Sequence, residues 1–163
     1  MSEKLTDDVL ELLEGRHDMT LASLLPDGGP HAVVVSYASR GLSLYFGCDP
    51  SSQKAANIAR DPRVAITITS PYSDWSQIRG LAISGHARRL NGEAAEKAAE
   101  CFMKKFDEIA QYITTGAEIA LFEIVIQRVS LLDYRRGFGH VARGRASSRQ
   151  DGGLTWDDAA ASA

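Results

Sequence analysis

The chain is poor in the residues that announce most catalytic or metal chemistry. Of its 163 residues only two are cysteine, Cys48 and Cys101, far apart and in no metal-ligand spacing. The histidines, at positions 17, 31, 86 and 140, share no local motif, so no metal site can be read. No basic-then-apolar leader opens the chain, and with so few thiols this predicts a reducing, cytoplasmic setting. The apolar runs are too short to cross a bilayer, which excludes a helical membrane anchor. Basic charge is not in excess either: 18 Lys and Arg stand against 21 Asp and Glu, a net charge of −3 that argues against a nucleic-acid partner. The one basic cluster, Arg135, Arg136, Arg143, Arg145 and Arg149, reads as a solvated tail. There is no GxGxxG, no phosphate-binding P-loop and no regular βαβ alternation, so a doubly wound nucleotide fold is excluded. No nucleophile–base or carboxylate pair is visible.

What is present is an ordinary apolar content of 44% in a chain long enough for one domain with its own core. Leu5, Val9, Leu12 and Leu13 recur at helical spacing and Gly15 follows them, which predicts a helix over 3–15. "MTLASLL" (19–25) and "PHAVVVSYAS" (30–39) flank the turn "PDGG" and predict a hairpin. "LSLYFG" (42–47), "DPRVAITITS" (61–70), "IRGLAISGHARRL" (78–90) and "EIALFEIVIQRVSLLDY" (118–134) read as four more strands, with Gly80 and Gly85 as bulge or bend sites. A short helix ends near Arg60. A helical segment spans 91–113, with Ala95, Ala98, Ala99, Phe102, Met103 and Phe106 as its apolar stripe and a break near Asp107. Short turns between successive strands mean antiparallel pairing, and closure of the edges favours a barrel. The fold class expected is mainly β (α+β), a six-stranded antiparallel barrel with flanking helices over 1–144, followed by a flexible tail over 145–163.

One stretch stands out. In "GCDPSSQKAANIAR" (47–60), Asp49, Ser51 and Ser52 suffice to cap a helix, yet Lys54 follows in the first turn, where the helix dipole is already positive. An anion would resolve this. Free N–H groups, serine hydroxyls and one ammonium make a phosphate cradle.

The runs "MTLASLLPDGGPHAVVVSY", "LSLYFGCDPSSQKAANIARDPRVAITI" and "GLAISGHARRL", in this order and spacing, resemble the FMN-binding split β-barrel proteins related to pyridoxamine 5′-phosphate oxidase over roughly residues 10–134. The resemblance implies a homodimer with FMN between the subunits and a flavin-dependent oxidoreductase acting on a small molecule. It implies Lys54 on the phosphate, with Ser51, Ser52 and Gln53 beside it. It places His31 near a family arginine that reaches the phosphate, Val33, Val34 and Ser36 along the flavin ring, and Tyr45 and Phe46 at the ribityl chain. Trp75 is expected to cover the flavin across the dimer, and Arg79 to stand at a family Arg-Gln pair. Two departures count against the parent reaction: Gln53 replaces a cation, and Gly80 replaces the family's glutamine. The Gly-rich "RRGFGHVAR" also resembles the haem-utilising branch, which implies His140 as an iron ligand if haem is the cofactor. The deazaflavin F420 is a further alternative, as is a flavin binder without turnover.

Overall fold

Residues 63–69 show how the sheet is specified. Val64, Ile66 and Ile68 are buried, whereas Ala65, Thr67 and Thr69 face outward, the period-two pattern of a half-buried strand. The same alternation recurs along the other long strands. In the computed structural model, which describes residues 1–111, 117–147 and 153–157, the order is α1 (Ser2–Gly15), β1 (Asp18–Leu24), β2 (Pro30–Ser36), β3 (Ala38–Arg40), β4 (Ser43–Cys48), α2 (Gln53–Arg60), β5 (Arg63–Thr69), β6 (Arg79–Arg89), α3 (Gly92–Lys105), β7 (Ala120–Asp133), β8 (Val141–Ala146) and β9 (Leu154–Trp156). Single 3₁₀ segments lie at Trp75–Gln77, Asp107–Gln111 and Tyr134–Arg136.

The strands form one antiparallel sheet in the order β2-β1-β5-β6-β7-β4-β3. It curls into a half-barrel around Leu21, Leu44, Phe46, Ile66, Ile124 and Leu131, and α1 closes the core with Val9, Leu12 and Leu13. β7 is the longest strand. One of its edges pairs with β6; along the other, its first half pairs with β4 and its second half with β8. Gly85 lies at the register shift between β6 and β7, where an added Cβ would stand 2.3 Å from the Val125 carbonyl oxygen. The bulge expected there is present. Gly80 instead pairs in regular register.

Nine strands are found where six were expected. The expected strand 30–39 is two strands, because Tyr37 turns the chain inward. Its ring is fully buried, its hydroxyl donates to the Leu13 carbonyl at 2.7 Å, and its backbone N–H donates to the His17 carbonyl at 3.0 Å. β8 and β9 carry almost no apolar period, so no sequence pattern marks them; ladder bonds tie β8 to β7 and β9 to β8. The described part of the segment from 145 is therefore sheet: β9 pairs with β8, and the Trp156 indole N–H donates to Thr6 Oγ1 of α1 at 3.0 Å. Arg149 and the rest of that expected tail lie outside the described residues, as does the end of the expected 91–113 helix. α3 breaks at Phe106, next to the expected point. No helix among the described residues is long and apolar enough to cross a membrane.

Candidate functional site

β2 and β3 are the two free ends of the sheet path, and only Tyr37 separates them in the chain. No ladder joins these two edges, and the sheet stays split between them. α2 starts at its mouth. After β4, the Asp49 carboxylate accepts from the Ser51 N–H and from the Ser51 hydroxyl, each at 2.7 Å. These bonds hold the Asp49 carboxyl below the usual carboxylate range. The N-cap is Ser52: its hydroxyl accepts from the Ala55 N–H at 3.4 Å and donates to Cys48 Sγ at 3.4 Å. Gln53 and Lys54 are then the first two residues of the helix, and their N–H groups have no partner within it.

A cleft of about 490 Å³ opens at this point. One wall is the edge of β2, with Val34 and Ser36. The floor is Gly47, Cys48 and Asp49. The opposite wall is apolar, formed by Phe102 of α3 and Phe106 just past its end with Ile109 beyond, and Glu108 stands beside them. Lys54, half-buried, lines the cleft beside Ser52 and makes no ion pair among the described residues. The geometry suits a long planar ligand with an anionic end: cation, hydroxyl and helix N-terminus at one end, and aromatic and aliphatic faces along the length.

Of the residues expected at the cofactor, Val34, Ser36, Ser52 and Lys54 converge here. Ser51 is adjacent but turned to Asp49, and Gln53 lies against the Asn57 amide at 2.8 Å. His31 stands opposite Ser23 on the inner side of β2, half-buried, with its Nδ1 shielded and unpartnered. Val33 and Tyr45 are half-buried on β2 and β4, outside the cleft lining. Two expectations differ from what is observed. Phe46 is fully buried and stacks on Phe122, with centroids 5.1 Å apart, so its ring belongs to the core. Arg79 is committed to α1, at 3.3 Å from Asp8 and 3.1 Å from Glu11. Trp75 projects from an exposed loop and stacks with Phe138, away from its own cleft. His140 is half-buried beside that loop, and its carbonyl accepts from the Asp133 N–H at 3.1 Å. No group of three or more metal-ligating side chains occurs among the described residues.

In the sequence Phe102 and Phe106 belong to the apolar stripe of the helical segment and Ile109 to its continuation, so no pattern sets them apart as cleft residues.

This arrangement, an antiparallel half-barrel with a ligand-sized split beside a short helix, defines the split β-barrel class. A family model described as pyridoxamine 5′-phosphate oxidase matches residues 5–133, and the chain belongs to that family. The haem-binding protein from Mycobacterium smegmatis has the same fold, with a TM-score of 0.75 and 22% identity over 86% of this chain; the chain spans 57% of that protein's length. An FAD-binding protein from Mesorhizobium loti superposes with a TM-score of 0.63 at 19% identity, covering 76% of this chain and 89% of its own. The UPF0306 protein YhbP of Salmonella paratyphi A is 23% identical over 103 residues, 63% of this chain and 67% of its own length.

Proposed function

We propose that the chain is an FMN-binding flavoprotein that oxidises or reduces a small molecule, and that it works as a homodimer with its cofactor at the subunit interface. The observation that carries this is Lys54, an ammonium without an ion-pair partner among the described residues, beside the Ser52 cap at the end of an aromatic-walled cleft. The residues fit the group. Lys54, Ser52 and the first N–H groups of α2 would hold the phosphate, with His31 of β2 as a proposed additional donor. Val34, Ser36, Phe102 and Phe106 would take the ring. Bound flavin supplies the hydride and electron transfer. The chain's own part is to bind, to orient and to exclude water along the apolar wall. Asp49 turns its Oδ1 to Ser51, and the nearby Lys54 charge also helps to hold its carboxyl down.

The dimer reading rests on the outward face of the sheet. Across four paired strands it presents Ala32, Ala22, Ala65 and Ser84 in one row and Val34, Thr20, Thr67 and Ala82 in the next. Both rows are uncharged and small, and Val34 is 70% exposed. Such a flat face suits self-association about a two-fold axis. Two unpaired thiols fit the reducing interior of a cell.

Mass spectrometry of the cofactor released from fresh protein tests the reading directly; FMN is expected. Lys54→Ala is expected to weaken FMN binding tenfold or more, about 1.4 kcal/mol, and an unchanged titration would remove the phosphate assignment. A second reading, haem with His140 as ligand, gains support from the haem-binding structural relative. It requires a Soret band on haem addition that is lost in His140→Ala.

A further inference from the structure

α2 is held to the sheet by an amide. Of its eight residues Ala55, Asn57 and Ile58 are buried, and Asn57 is the most deeply buried of the three, with no exposed surface. Asparagine is a poor residue for the middle of a helix. Its side chain reaches the end of β1. The Ser23 hydroxyl, on a residue 3% exposed, meets the Asn57 amide at 3.0 Å. The amide orientation that satisfies both of its ends has Oδ1 accept from that hydroxyl and Nδ2 donate to the Leu24 carbonyl at 3.2 Å and the Gln53 carbonyl at 3.3 Å. Arg60 adds a second bond from α2 to the Leu24 carbonyl. The Gln53 side chain lies against the same amide at 2.8 Å and takes no part in lining the cleft.

Stability does not account for this pair. Two buried groups bonded to each other contribute little more than two apolar groups of the same shape. What an amide adds is direction. Ala55 and Ile58 offer the sheet one methyl and one branched chain, a small apolar contact on which a short helix can roll or slide. Bonds to the Ser23 hydroxyl and the Leu24 carbonyl of β1 permit neither. The roll matters because Lys54 precedes Asn57 by three residues and Gln53 precedes it by four, so all three share one side of the helix. A change of roll at Asn57 carries Lys54 and the first free N–H groups away from the cleft by the same angle.

We infer that Asn57, through Ser23, is a positioning residue for the anion end of the cleft: it sets the roll of α2 and thereby aims the Lys54 ammonium and the N–H groups of Gln53 and Lys54. The inference rests on the phosphate reading above and names what aims its cation. Asn57 itself touches no ligand. Gln53, which stands where a family cation is expected, buttresses Asn57 in place of contacting the phosphate.

A paired apolar replacement tests it. Ser23→Ala/Asn57→Leu removes both partners and keeps most of the volume. It is expected to unfold within a few degrees of the parent, yet to lose at least tenfold in FMN affinity. Equal affinity would overturn the inference. A ligand-free arm reads the geometry alone. Residual dipolar couplings of the backbone N–H groups report the direction of each element. In the double variant those of α2 are expected to change together, while those of β1 and β5 hold. An α2 that keeps its direction overturns the inference whatever FMN does. An α2 that turns, in a protein whose parent binds no FMN, supports the positioning role and overturns the flavin assignment instead. Should the double variant not fold, Ser23→Ala alone is read by the same two measurements. It leaves Asn57 its carbonyl bonds, so a smaller turn and a loss of about threefold are expected; unchanged couplings and affinity overturn the inference.

Discussion

Asp133 carries more than its size suggests. Its residue is fully buried at the end of β7, and its carboxylate lies 2.8 Å from Arg135 and 3.3 Å from Arg136. Arg136 also reaches Asp8 at 2.7 Å, and Asp8 meets Arg79, so one network ties α1 to the far end of the sheet. The hydrogen bond from Arg135, foremost, lowers the Asp133 carboxyl from 3.8 to about 2. A depressed carboxyl stabilises the folded state above its unfolded value and loses that contribution as the pH falls through its folded one. The stabilisation is thus full above about pH 4 and fades towards about pH 2. Asp133→Asn is expected to cost about 2 kcal/mol at pH 7. The gap from the parent should close near pH 2, as read by denaturant midpoints at the two pH values. A gap that persists at pH 2 would place the cost in packing instead. The same network explains why Arg79 is a poor candidate for the cofactor: its partners Asp8 and Glu11 lie about seventy residues away in the chain, and no local pattern reveals such a pairing.

Among the elements, the legible ones are those with a strong period. The alternation of Val64, Ile66 and Ile68 and the helical spacing of Val9, Leu12 and Leu13 each describe burial against one core, and both elements form within a residue or two of the expected bounds. β3 and β9 are short edge strands and β8 lies between β7 and β9; their pairing is set by backbone bonds and by a buried corner, neither of which writes a pattern into side chains. The site divides in the same way. Lys54 and Ser52 are visible because a helix start has few acceptable residues, whereas Phe102 and Phe106 hide in an ordinary apolar stripe. The β6–β7 bulge offers a test at this scale. Gly85→Ala would drive a methyl into the Val125 carbonyl, so a loss of about 3 kcal/mol or failure to fold is expected. Gly15→Ala, which meets nothing within 4 Å, is expected to be neutral. Thermal unfolding of the two variants measures the contrast; similar midpoints would mean that the bulge relaxes.

At the scale of the whole molecule, one face of the sheet faces its own core and the other presents the small, uncharged rows on which the proposed dimer rests. Ala82→Glu places a charge in the middle of the small-residue face and disturbs nothing buried in the single chain. It is expected to convert dimer to monomer in sedimentation velocity, leave the circular dichroism spectrum unchanged, and weaken FMN binding tenfold or more. A dimer that survives the substitution would move the interface elsewhere. β7 has a further consequence, one of timing. It is the common neighbour of β4, β6 and β8, and it begins only at Ala120. A chain emerging from the ribosome therefore shows two long, apolar strand edges, on β4 and β6, for as long as the following stretch takes to be made. These edges invite the wrong pairing. A single late strand joins β4 to the block β2-β1-β5-β6, and until that strand arrives the nascent chain depends on speed or on chaperones to stay out of aggregates.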